Sequence, residues 1–172
     1  MREEACLQQP WINWLWQPNR ETGRLQLQLS DNIVFPTELK IDQLNSECQQ
    51  ELAFTAQDAE SYIVYRDMLK KSDLDEQGQF TVAINATATN SYMTPLAAKS
   101  WLFRQVECQF PKRVGDKVQL FTQETADYLV LDTDEQSSLI ILMSQQHTLN
   151  PARTLTQGQV VRVHNDRIKR HE

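Results

Sequence analysis

Trp11-Ile12-Asn13-Trp14-Leu15-Trp16 and Arg24-Leu25-Gln26-Leu27-Gln28-Leu29 stand on either side of the segment Gln17-Pro18-Asn19-Arg20-Glu21-Thr22-Gly23. The second run alternates polar and apolar residues with a period of two, the pattern of a strand with one buried face. The segment between has the chemistry of a turn: Pro18 fixes φ, Asn19 tolerates left-handed geometry, and Gly23 accepts a positive φ. A wide hairpin follows. Leu25, Leu27 and Leu29 share one face of it, and the three tryptophans supply an aromatic surface alongside. Such a cluster becomes a contact surface only if it is exposed, because buried aromatics ordinarily serve packing.

Ser30-Asp31-Asn32 turns the chain into Ile33-Val34-Phe35, a third strand expected to stop at Pro36. Thr37–Leu44 gives a mixed signal, short helix or irregular connection, and Glu51–Phe54 reads as a short strand. Thr55 with Asp58 three residues on predicts a capped helix start. Ala59, Tyr62, Ile63, Arg66 and Leu69 then fall at helical spacing, with Lys70-Lys71 complementing the dipole at the far end. Asp73 and Glu76 repeat the capping pattern ahead of a second helix over Leu74–Tyr92. That segment holds many poor helix formers, so a strand over Gln79–Ile84 is its rival. Pro95 biases Thr94 away from helical geometry, which makes Met93–Ala98 a connector between residues 1–98 and residues 99–172.

Beyond the connector the sequence reads as short strands: Trp101–Phe103, Val106–Phe110, Lys117–Thr122, Tyr128–Asp132, Ser137–Met143 and Gln159–His164. Turn-forming residues separate them. Leu139-Ile140-Ile141-Leu142-Met143 has no polar alternation and is expected in a central strand buried on both faces. The fold class is therefore α+β, with an N-terminal α/β domain of antiparallel strands plus two helices and a C-terminal all-β, barrel-like domain.

With 40% hydrophobic and 23% charged residues among 172, the chain has the composition of a globular protein rather than a disordered one. No apolar run approaches the ~20 residues that cross a bilayer. The first residues lack the pattern of a secretory signal, so a cytosolic location is expected. Net charge is −6, divided as −7 over residues 1–98 and +1 over residues 99–172. That balance argues against a nucleic-acid partner for the molecule as a whole. Cys6, Cys48 and Cys108 fit neither a disulfide framework nor paired zinc ligands. His147, His164 and His171 form no metal-binding pair, and no glycine-rich phosphate cradle occurs among four glycines. Asp132-Thr133-Asp134-Glu135 reads as a hairpin turn. No metal or cofactor is expected, and the residues favour a binding module over an enzyme.

Asn13-Trp14-Leu15-Trp16, the alternating Arg24–Leu29, Lys99-Ser100-Trp101-Leu102-Phe103, Val114-Gly115-Asp116 and Asn165-Asp166-Arg167-Ile168-Lys169 together resemble, in order and spacing, the bacterial cell-division ZapC family. The likeness spans nearly the whole chain and is weakest between about residues 37 and 80. It implies a cytosolic, non-enzymatic factor at the mid-cell division site that binds the tubulin-like GTPase FtsZ, promotes lateral association of its polymers and slows their turnover. It also implies an N-terminal domain that carries a pocket. Where relatives tend to have Lys-Pro before the Lys-Ser-Trp segment, this chain has Thr94-Pro95, leaving Lys99 as the basic group there. Partner contact is expected at the seam of the two halves, on Trp14, Trp16 and Leu27 with Lys99, Trp101 and Arg104. Arg162, Arg167 and Lys169 form a basic alternative. Lys99 could equally lay its stem over apolar surface, and Trp101 could pack at the hinge. A monomer is expected, since no heptad repeat occurs. Two other classes stay open: a single-stranded RNA binder using Arg162, Arg167, Lys169 and Arg170, and a hydrolase using Cys48 or Cys108 with His147 or His164.

Overall fold

The computed structural model describes residues 11–107 and 110–171. The hairpin forms, shifted from its expected place: β1 (Leu15–Asn19) pairs antiparallel with β2 (Arg24–Ser30), Trp16 opposite Leu27. Trp11–Asn13 make a turn instead, closed by the Trp14 amide on the Trp11 carbonyl at 3.0 Å. Pro18 belongs to the strand and not to the turn. The Trp14 carbonyl accepts the Phe54 amide, so residues 14, 16 and 18 direct their backbone groups away from β2, toward β4 (Leu52–Ala53). β4 reaches only Leu15 and Trp16, and the donor that proline lacks falls beyond its end. The true turn ends at Gly23, whose φ of 75° requires glycine.

β3 (Ile33–Lys40) runs through Pro36, which corrects the expectation of a strand stopped there. The sheet order is β3-β2-β1-β4, so β3 is an edge strand. Its Glu38 amide points away from β2 to the Asn85 side-chain oxygen at 2.7 Å. Pro36, two residues earlier, faces the same outer side, where no ladder bond is lost.

Helix α1 (Ala56–Leu69) begins with the predicted reciprocal cap, Asp58 amide to Thr55 hydroxyl at 3.1 Å and Thr55 amide to Asp58 carboxylate at 3.0 Å. Tyr65 and Leu69 are buried; Ile63, expected on the packed face, is exposed beside Val64. Helix α2 (Glu76–Tyr92) is capped by Asp75 through the Gly78 amide, and not by Asp73. It prevails over the rival strand because its weak helix formers are matched to its surroundings. Ile84 and Ala88 face the first sheet, and Val82, Ala83 and Ala86 face the second, so the helix is buried nearly all round. Small side chains let both layers approach. The Thr87 and Thr89 hydroxyls bond the Ala83 and Asn85 carbonyls one turn back, at 2.8 and 2.7 Å, so burial leaves neither unsatisfied.

The second half contains β5 (Lys117–Phe121), β6 (Thr125–Thr133), β7 (Ser137–Leu142), β8 (Gln146–Asn150), β9 (Arg153–Thr156), β10 (Val160–His164) and β11 (Lys169–Arg170). Five of these form an antiparallel sheet in the order β10-β7-β6-β5-β11, and β8 pairs with β9 as a separate ribbon. The sheet is open, and no closed barrel forms among the described residues. β7 is central, as its apolar run requires: Ile140 and Leu142 enter the core beneath the ribbon residues Leu149 and Leu155, while Ile141 and Met143 meet the helices. Trp101–Phe103 is not a strand, since Ser100–Leu102 form a single 3-10 turn. Val106 and Phe110 lie outside any strand, and the rest of that expected strand includes Cys108 and Gln109, outside the described residues.

Candidate functional site

The Lys99-Ser100-Trp101 segment is pinned to the edge of the second sheet by hydrogen bonds to the end of the chain. The Lys99 amide donates to the Arg162 carbonyl at 2.8 Å. Ser100 is 5% exposed, and its hydroxyl accepts the His164 amide at 2.7 Å and lies 2.8 Å from His164 Nδ1. The Ser100 carbonyl accepts Arg167 Nε at 3.1 Å and closes the 3-10 turn on the Phe103 amide at 3.0 Å. Side chains three residues apart in such a turn share one side. Ser100 and Phe103 both face inward, the latter against Tyr128 and His147. Trp101 must therefore face outward, and it is 74% exposed. The alternative of a hinge-packing role for this tryptophan is thereby excluded.

Lys99 is half-buried beside Trp101, and Arg104 is exposed with its amide held by the Phe121 carbonyl at 2.8 Å. Arg162 and Arg167 are occupied within the fold. Arg162 bonds Ser137 at 3.1 Å and lies 3.6 Å from Asp132, while Arg167 pairs with Asp166 at 2.8 Å. Both hold the segment in place. Lys169 lies farther along, on β11, with its ammonium 5.5 Å from the Phe121 ring centre. Thr94 donates amide and hydroxyl to the Gln43 carbonyl at 2.8 and 3.0 Å.

Trp14, Trp16 and Leu27 are elsewhere: all three are buried in the first core cluster, so in this structure they are scaffold and not surface. Trp14 packs edge-on against Phe54, Tyr62 and Phe80. The Trp16 indole donates to Asp58 at 3.0 Å, and the same carboxylate receives the Tyr92 and Ser91 hydroxyls, each at 2.9 Å. This network, with the Thr55 amide, joins β1, α1 and α2 around one buried acid whose oxygens are all satisfied. Burial, that hydrogen bond and the Asp58 charge all push the Tyr92 hydroxyl pKa up.

A cleft of about 240 Å³ opens where the halves meet, lined among others by Tyr65, Met93, Pro95, Leu96, Leu131 and Arg162. The pocket at this place is thus shared by both halves. A broader hollow of about 570 Å³ lies on the first half around Gly23, Lys40 and Ile41.

The cysteine-hydrolase alternative finds no support at Cys48. Its thiol is fully buried, and desolvation, aided by Asp58 and Glu47, pushes its pKa up to about 12. It sits in the first core cluster, whereas His147 is buried in the second half against Tyr128, its Nδ1 2.7 Å from the phenol oxygen. Cys6 and Cys108 lie outside the described residues. His164 is committed to Ser100. The turn expected over Asp132–Glu135 forms at residues 134–136, Asp132 and Thr133 belonging to β6, and Asp134 accepts the Gln136 and Ser137 amides at 2.8 Å. Among the described residues no helix is long and apolar enough to cross a membrane.

Residues 7–94 match the family model described as cell-division protein ZapC, N-terminal, and residues 95–172 the one described as cell-division protein ZapC, C-terminal. The chain is 31% identical over 161 residues to the cell division protein ZapC of Shewanella oneidensis, covering 92% of this chain and 91% of that one. It is 29% identical over 167 residues to that of Shewanella woodyi, covering 96% and 92%. It is 30% identical over 157 residues to that of Ferrimonas balearica, covering 90% and 88%.

Proposed function

This chain belongs to the ZapC family of non-enzymatic cell-division proteins, and from that premise we propose that it binds polymerised FtsZ at mid-cell, bundles the polymers and reduces their GTP turnover. It acts as a monomer of two domains, residues 1–98 and 99–172, and contacts FtsZ through Trp101 flanked by Lys99 and Arg104. The observation that carries this reading is the 74% exposure of Trp101 on a turn whose neighbours are locked. An interface hot spot is commonly an aromatic ringed by polar groups, pre-ordered so that little entropy is lost on binding. Covering that fraction of an indole removes on the order of 110–190 Å² of apolar surface from water, about 3–5 kcal/mol before the costs of association. Lys99 and Arg104 steer an acidic polymer toward it. Arg162 contributes by holding the Lys99 amide on its carbonyl and Arg167 by holding the Ser100 carbonyl, and Lys169 lies at the margin.

Sedimentation of FtsZ polymers formed with GTP tests this. The expected result is co-sedimentation, more pelleted FtsZ and slower phosphate release. Lys99→Glu and Trp101→Ala each weaken co-sedimentation, and for Trp101, which is exposed, the melting temperature stays close to that of the native protein, since exposed substitutions cost within about 0.5 kcal/mol. An unchanged pellet with the native protein at saturation defeats the FtsZ assignment; normal binding by both variants defeats the site.

A further inference from the structure

A second charged surface lies along the β5–β11 edge, and it does not depend on the FtsZ reading. β11 pairs with β5 at Lys169–Gln119 and Arg170–Val118, which sets two late cations beside Lys117 at the start of β5. The preceding turn adds Arg113. Its backbone amide is bonded to the Asp116 carboxylate at 2.9 Å, while its side chain is exposed. Arg113, Asp116, Lys117 and Arg170 line a cleft of about 390 Å³ together with Phe110 and Pro111.

These cations differ from others in the molecule. Arg24, Arg66, Lys70, Arg162 and Arg167 each have a carboxylate within 4.0 Å, whereas among the described residues Arg113, Lys117, Lys169 and Arg170 have none. Aromatic rings order two of them, Lys169 and Arg170, together with the neighbouring Lys112. Arg170 sits 4.8 Å and Lys112 4.5 Å from the Phe110 ring centre, and Lys169 sits 5.5 Å from that of Phe121. In a chain of net charge −6, a group of cations without acid partners is a local reversal of sign.

We propose that this edge binds an extended acidic segment of another protein. An extended segment laid across the cleft repeats a side chain on one face about every 7 Å and can meet Arg113, Lys117 and Arg170, which line it together, while Lys169, its neighbour on β11, points to the other face of the strand. Phe110 and Pro111 give the cleft an apolar wall for one apolar residue of the segment. Single-stranded nucleic acid fits less well. Its binding relies on bases stacked on open aromatic faces, and the rings available here already carry Lys112, Arg170 and Lys169.

The test uses the full chain and a fluorescein-labelled decaglutamate peptide, followed by fluorescence anisotropy at low and high salt. The expected result is saturable, salt-sensitive binding that weakens at least about tenfold in Arg113→Glu/Arg170→Glu and is retained in Arg153→Glu, an exposed site on β9 outside the edge. Arg113→Glu alone decides the matter if the double variant melts early, because that side chain is exposed and its turn is held by backbone. No binding of decaglutamate, or equal binding by native and edge variants, overturns the proposal. So does tighter binding, through the same residues, of an oligouridylate of matched charge or of phosphatidylserine-containing vesicles; these outcomes assign the edge to nucleic acid or to lipid.

Discussion

Replacing Ser100 by Ala removes one oxygen atom from the Trp101 turn. The hydroxyl accepts the His164 amide at 2.7 Å in a position that is 5% exposed, so its loss leaves a strand amide facing a methyl group. A buried donor stranded in this way costs about 1–3 kcal/mol. The backbone contacts of the same segment, Lys99 to Arg162 and Arg167 to the Ser100 carbonyl, do not depend on the hydroxyl. The middle of the range, about 2 kcal/mol, corresponds for a chain of this size to a melting temperature lower by roughly 4–8 °C. Calorimetry measures it. The same substitution loosens the element that presents Trp101, so FtsZ co-sedimentation weakens as well, and acrylamide quenching of Trp101, the exposed indole, changes relative to the buried Trp14 and Trp16. Trp101→Ala separates the two effects by losing binding at an unchanged melting temperature. If Ser100→Ala melts within about 1 °C of the native protein and its quenching is unaltered, the hydroxyl does not pin the turn and the reasoning fails.

Two further outcomes follow from buried titratable groups. Burial of His147 beside Tyr128 lowers its pKa below the usual histidine value, so the native state holds it neutral while the unfolded chain protonates it near pH 6.5. Its contribution is therefore fully present above about pH 6.5 and is lost as pH falls toward the lower folded value, so His147→Gln flattens the denaturant-midpoint profile across that window. A slope identical in both proteins counts against it. Cys48, with its thiol pushed up to about 12 and no exposed surface, resists iodoacetamide at mildly alkaline pH until denaturant is added. Rapid labelling of its peptide in the native protein, read by mass spectrometry, reopens the cysteine-nucleophile reading.

The elements legible in the sequence are those whose pattern is local. Leu25 and Leu27 alternate with glutamines, Leu139–Met143 is apolar throughout, and Thr55 with Asp58 is a cap that needs no distant partner; each appears in its expected role. α2 could be read only ambiguously. Its alanines and threonines look weak as a helix in isolation but suit a helix enclosed on both sides, a tertiary fact. The β8–β9 ribbon was hidden because its inward residues are His147, Leu149 and Leu155. A buried histidine breaks the apparent alternation unless Tyr128 and Thr122 are known to meet it.

Lys99, Trp101 and Arg104 can be named from sequence, but the turn that exposes Trp101 and the charged β5–β11 edge are not legible there, since each is made by partners far apart in the chain. Ser-Trp-Leu-Phe reads as a strand until His164, 64 residues after Ser100, takes the serine hydroxyl and turns the tryptophan outward. The near-neutral balance of residues 99–172 likewise conceals a separation of charge. Asp134 and Glu135, with Lys112, line one side of the Phe110–Pro111 ridge, and Arg113, Lys117 and Arg170, with Asp116, line the other, so acids outnumber cations on the first side and cations outnumber acids on the second. A net charge summed along sequence averages over such a ridge, whereas a partner approaching within a Debye length, about 8–10 Å at physiological salt, meets only one side of it. Orientation on binding is then decided at that ridge: an acidic segment that docks from the Lys117 side is attracted, and one displaced across Phe110 meets Asp134 and Glu135 and is repelled.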